Sequence, residues 1–145
     1  INTISKLQKK KLSKKQVAEK SFFVERNILK HPIGKQDDYV ASFGGLNYIK
    51  FSKHNTTVTP IHLKKSISEE LQNNLLLFFI GTTRKSSTVL SKQLKKTKNL
   101  DPITLNSLHK VKDLGKDLFK SLKSSDLTSV GEILDECWRE KKFFY

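Results

Sequence analysis

The chain has 145 residues, 36% of them hydrophobic, and a formal net charge of +14 from 28 basic and 14 acidic residues. That length allows a real core, but the hydrophobic share is below that of an ordinary compact domain, and the longest apolar run, Leu75 to Ile80, is too short to cross a membrane. A single cysteine, Cys137, excludes an internal disulfide framework, and no secretory signal pattern stands at the N-terminus, so a reducing cytoplasm is expected.

In chain order, Ile1 to Leu12 reads as the tail of a helix and a basic turn. Ser13-x-x-Gln16 has the form of a capping box and predicts a helix from Lys14. Val17, Ala18, Phe22, Glu25, Ile28 and Leu29 keep helical spacing until His31-Pro32, where the residue before proline is pushed out of the helical region. The segment Pro32-Ile33-Gly34-Lys35-Gln36-Asp37-Asp38-Tyr39 then reads as a Pro/Gly-bracketed loop, with Gly44-Gly45 suited to positive φ or close backbone approach. Leu46 to Phe51 and Val58 to Leu63 read as two strands joined by the polar turn Ser52 to Thr57, with Pro60 placing the second at an edge.

Ser66-x-x-Glu69 marks a short helix to about Asn73. Leu75 to Ile80 is short and continuously apolar, as expected of a strand covered on both faces. Gly81-Thr82-Thr83-Arg84 makes a loop before a helix over 85–96. Asp101-Pro102 is a cap followed by proline at the first helical position. From there Leu105, Leu108, Val111, Gly115, Leu118 and Leu122 form one stripe. Ser124-Ser125-Asp126 turns the chain into a second helix striped by Leu127, Val130, Ile133, Leu134, Cys137 and Trp138, so the two make an antiparallel hairpin. Cys137 falls on that stripe and reads as a structural thiol.

The charge excess is nearly all lysine; Arg26, Arg84 and Arg139 are the only arginines. Nucleic-acid readers favour arginine for its planar fork, and here the lysines are scattered, so a solvated lysine-rich surface and no specific nucleic-acid partner are expected. The four histidines are far apart and lack partners at metal-ligand spacing, which argues against a structural metal.

The run from Glu25 through His31-Pro32-Ile33-Gly34-Lys35-Gln36-Asp37 and Tyr39 to Gly44-Gly45-Leu46-Asn47 resembles the sugar-kinase branch of the GHMP kinase superfamily, in particular the D-glycero-D-manno-heptose 7-phosphate kinases. Asn74 to Arg84, Lys85-Ser86-Ser87, and Gly131-Glu132-Ile133-Leu134 leading to Trp138 and Lys141 continue the resemblance in the right order. Gly-Lys-Gln-Asp is its specific part, and the Trp138-to-Lys141 spacing is a weak one. The resemblance implies an α+β fragment of a two-domain kinase: a helix plus a β-hairpin, then a strand and a helical hairpin. Residues 1–64 would end the N-terminal kinase domain and 65–145 begin the C-terminal one. No Gly-rich phosphate loop is seen, which makes an interior piece of a longer kinase, with little activity alone, the expectation.

By the same resemblance Asp37 is the catalytic aspartate, orienting the acceptor hydroxyl and taking its proton. Gly34, Lys35, Gln36, Thr82, Thr83, Arg84 and Lys141 are the expected substrate-binding residues. Asp38 departs from the family pattern, where glutamine is usual, and receives no role. ATP and Mg are the implied cofactors, with no magnesium ligand placed in this chain. The implied partners are a sugar phosphate and ATP, with no membrane. The alternatives are a basic module for nucleic acid or another polyanion, carried by Lys9 to Lys15 and the helical hairpin, and a non-catalytic remnant.

Overall fold

The computed structural model describes residues 1–79, 81 and 86–143. Seven α-helices and one two-stranded antiparallel sheet are seen among them, in keeping with the α+β class. The chain divides into two compact units, Ile1–Pro60 and Ile61–Tyr145.

The first unit begins with a short helix α1 (Asn2–Leu7). Helix α2 (Lys14–Phe23) starts where the capping box puts it: the Gln16 N–H donates to Ser13 Oγ at 3.2 Å, and the Ser13 N–H donates to Gln16 Oε1 at 2.8 Å. Beyond Phe23 the helix widens into a π-helical turn over Val24–Ile28, and Lys30, in the left-handed region at φ 57°, ends it. Helix α3 (Gln36–Phe43) follows, so the segment read as a loop becomes helical from Gln36. Its signals were present in the sequence: two acids in the first turn, where the helix dipole favours negative charge, and Gly44 at the end with φ 66°. The hairpin forms from β1 (Asn47–Phe51) and β2 (Thr56–Pro60), running from the Asn47–Pro60 pair to the Phe51–Thr56 pair. Pro60 sits at the end of the ladder, where its missing N–H costs no bond between strands.

Helix α2 packs on α3. Ala18, fully buried, has too little bulk to hold the helices apart. Tyr39 is fully buried; its ring stacks on Phe43 at 5.8 Å and meets Phe51 edge-on at 5.4 Å, joining α3 to the sheet. Two lysines of the basic cluster fasten the unit from outside. Lys14 Nζ donates to the Phe43 carbonyl at the end of α3 at 2.8 Å, and Lys15 Nζ donates to Asn55 Oδ1 at 2.8 Å and the Thr56 carbonyl at 3.1 Å.

The second unit opens with α4 (Lys65–Asn73), which starts one residue before the expected Ser66 and carries no side-chain cap. Residues 75–79 form no strand, and Leu75, Leu76, Leu77, Phe78 and Phe79 are all exposed. This corrects the expected covered strand. A strand needs a neighbour for its backbone groups, and among the described residues none pairs with this run. The last residue of the run, Ile80, lies outside the described residues.

Helix α5 (Ser86–Lys98) leads to the hairpin of α6 (Pro102–Ser124) and α7 (Leu127–Lys141), which pack on one another. Asp101 caps α6 by accepting from the Thr104 N–H at 2.9 Å, with Pro102 at the first position; Asp126 caps α7 by accepting from the Ser129 N–H at 3.1 Å. Ser125, at φ 62°, makes the turn. The buried residues of the pair are Thr104, Ser107, Leu114, Leu122 and Val130. The seam in α6 therefore runs beside the Leu105-to-Leu118 stripe, most of which is half-buried.

Candidate active site

Capping and packing together put Asp37 and Asp38 on one turn with different surroundings. Lys35 is the N-cap of α3, so Gln36, Asp37 and Asp38 are its first three residues. Asp37 is exposed, whereas Asp38, one residue nearer the α2 contact, is buried to 8% exposure. Both line a cleft of about 640 Å³ in the first unit, bounded on the α2 side by Lys14, Val17, Ser21 and Glu25 and on the α3 side by Gly34 and Ser42. A Cβ added to Gly34 would meet nothing within 4 Å, so that wall stays open.

Lys35 and Gln36 are not among the residues lining this cleft. Lys35 Nζ binds Glu19 through both carboxylate oxygens, at 3.0 and 2.9 Å, and lies 5.1 Å from the centre of the Phe22 ring. Tyr39 OH donates to the same carboxylate. These contacts tie α2 to α3 immediately behind the Asp37 turn. The Tyr39 hydroxyl, then the Lys35 ammonium, hold Glu19 below the ordinary carboxylate value; burial, then the hydrogen bond to Glu19, push the Tyr39 phenol up. Glu19 was not singled out in the sequence. Its signal is positional: it stands beside Ala18 on the helix face that α3 covers.

Among the other expected residues, Thr82, Thr83 and Arg84 lie outside the described residues. Lys141 is the last residue of α7 and half-buried; it is Lys142 that lies over the Trp138 ring, 5.5 Å from its centre. Cys137 is half-buried on the same helix, and burial raises its thiol above the ordinary value. Among the described residues no three His, Cys, Asp or Glu side chains are grouped to hold a metal ion. No helix among the described residues is long and apolar enough to cross a membrane.

No family model matches the chain. It is 30% identical over 132 residues to the D-glycero-alpha-D-manno-heptose 7-phosphate kinase of Campylobacter jejuni, covering 90% of this chain and 38% of that protein. It is 28% identical over 82 residues to the bifunctional fucokinase/GDP-fucose pyrophosphorylase of Arabidopsis thaliana, covering 57% of this chain and 8% of that protein. The chain thus spans well under half the length of these relatives. These likenesses bear out the resemblance to GHMP-family sugar kinases, the first of them matched over nine-tenths of this chain's residues.

Proposed function

We propose that this chain supplies the acceptor side of a sugar-kinase active site. The parent reaction moves the γ-phosphoryl group of ATP to the anomeric hydroxyl of a heptose 7-phosphate or a related sugar, in the cytoplasm. The observation that carries the reading is the position of Asp37, exposed on the first turn of α3 at the wall of an open cleft. The 30% identity to a heptose 7-phosphate kinase supports a sugar acceptor of that class. ATP supplies the phosphoryl group, with magnesium as its accompanying ion.

In this reading Asp37 accepts a hydrogen bond from the sugar hydroxyl and takes its proton as the oxygen becomes a nucleophile. The start of α3 favours the negative charge this role requires. Lys35 acts as a positioning residue: its ion pair with Glu19 clamps the start of α3 against α2 and so aims the Asp37 turn. Gly34 leaves room for the sugar at the cleft wall, and Gln36 stands at the exposed helix start beside it. Thr82, Thr83, Arg84 and Lys141 are assigned to the anionic group of the substrate. The polyanion-binding alternative loses ground because Lys14 and Lys15 are engaged with the chain's own carbonyl and amide oxygens.

The test is Asp37→Asn in the longest polypeptide that carries this sequence, assayed for phosphoryl transfer from ATP to heptose 7-phosphate. Loss of a general base lowers turnover by ~10²–10⁴, with the fold unchanged. Turnover close to that of the parent would overturn the assignment.

A further inference from the structure

A second concave surface of the first unit takes no part in the proposed chemistry. It is a groove of about 370 Å³ between α1 and the end of α2 with its π-helical turn, and it shares only Ile1 and Leu12 with the Asp37 cleft. Its walls include Ile4, Leu12, Phe23, Val24 and Ile28, and Ile4, Phe23 and Ile28 remain 61%, 55% and 60% exposed. Apolar surface gathered in a concavity favours a partner that fills it. The charged side chains lining the groove are Lys10 and Lys20, and no acid lines it. Lys9 and Lys11 flank Lys10, and none of these four lysines has an ion pair or side-chain hydrogen bond among the described residues. Glu19 is the only acid between Ile1 and Val24, and its carboxylate is already held by Lys35 and Tyr39. The groove thus combines apolar walls with a positive rim that no described carboxylate neutralises.

We infer that this groove docks an amphipathic helix of a partner protein. The apolar face of that helix enters between α1 and α2, and its Asp and Glu side chains meet Lys10 and Lys20. A helix presents apolar side chains at i, i+3, i+4 and i+7 as a ridge, which suits a groove with aliphatic walls. A bilayer takes up apolar side chains that protrude from a surface, whereas Phe23 and Ile28 line a concavity. Single-stranded nucleic acid stacks its bases on a series of aromatic faces, and Phe23 is the one ring among the lining residues. A second copy of the chain would set the same lysines against each other. The inference is independent of the sugar-kinase reading, because no residue assigned to that chemistry lines the groove.

The experiment titrates the ¹⁵N-labelled 145-residue chain with a synthetic peptide and follows the backbone amides by NMR. The peptide has about 18 residues, with leucine at the i, i+3, i+4 and i+7 positions and alanine and glutamate elsewhere. A matched peptide with lysine in place of glutamate, vesicles of equal parts phosphatidylserine and phosphatidylcholine, and a single-stranded RNA are titrated in parallel. The glutamate peptide is expected to shift amides within 4–28 and to leave those of α6 and α7 in place; the lysine peptide is expected to shift neither. Phe23→Ala alters a side chain that is more than half exposed, so the fold is kept, and it is expected to weaken binding about tenfold. Lys20→Glu is expected to weaken it about threefold and to flatten its salt dependence. Weakening by Lys20→Glu with no effect of Phe23→Ala overturns the groove as the docking surface, and absence of glutamate-peptide binding overturns the inference outright. Tighter binding of vesicles or RNA than of the peptide at these amides overturns the partner class. The same titration is made on the longest polypeptide that carries this sequence. Failure to bind there, with binding by the 145-residue chain, means that the groove is filled by the polypeptide's own remainder and overturns a separate partner.

Discussion

The two units are held together by different means. In Ile1–Pro60 the elements are short, and one buried aromatic, Tyr39, sits where α2, α3 and the sheet meet, with its hydroxyl on a carboxylate that also binds Lys35. In Ile61–Tyr145 two long helices share a seam of small and aliphatic side chains. Lys110 of α6 bridges Glu136 and Glu140 of α7 at 2.8 and 2.9 Å at the edge of that seam, while pairs such as Lys116–Asp113, Lys120–Asp117 and Arg139–Asp135 lie within single helices, are exposed and contribute little in water. The cleft and the charged contacts behind it belong to the first arrangement. In the first unit the polar contacts converge on one carboxylate, Glu19, beside a buried ring, whereas in the second the Lys110 contacts lie at the edge of an aliphatic seam.

The strongest way to break the comparison is to remove its centre. Tyr39→Ala is expected to cost about 3–5 kcal/mol, the loss usual for truncating a buried aromatic, and to speed amide hydrogen exchange across 14–60. Tyr39→Phe keeps the ring and loses only the hydroxyl and its bond to the Glu19 carboxylate, at about 1.5–3 kcal/mol, measured by urea unfolding. If the Phe variant matches the parent, the ring alone holds the unit and the Glu19 contacts are incidental.

The pH dependence sharpens the same point. Glu19 is held below its ordinary value of 4.5, so its contribution is present above that pH and is lost as the pH falls through the lowered folded value. Tyr39 is held above its ordinary value of 10.0, so its contribution is present below that pH and is lost as the pH rises through the raised folded value. Glu19→Gln should flatten the acid limb of a melting-temperature profile, and Tyr39→Phe the alkaline limb. Unaltered limbs would mean that other groups govern both. The smallest effect is expected in the second unit: Asp126→Ala removes an exposed cap and should fray the first turn of α7, seen as faster exchange at Ser129 with little change in global melting. A global collapse there would show that the hairpin depends on that one cap.

The features legible in the sequence were those set within a few residues. Ser13 with Gln16, Asp101 with Pro102, and Asp126 each cap a helix through bonds to residues three positions away, so their spacing alone predicts them. The β-hairpin was legible for the same reason, although β2 begins two residues earlier than its apolar residues suggest. The Gly34-to-Asp37 motif carried the kinship with sugar kinases. The tertiary structure decided what depends on distant partners. Glu19 and Lys35 meet across 16 residues, a contact that no local pattern encodes. Helix α3 starts at Gln36 and not later, and its packing against α2 exposes Asp37 while burying Asp38, a division invisible in two adjacent identical letters. The run beginning at Leu75 has the composition of a buried strand, yet its described residues 75–79 are exposed, because composition makes a strand only when another strand stands beside it to take its backbone hydrogen bonds.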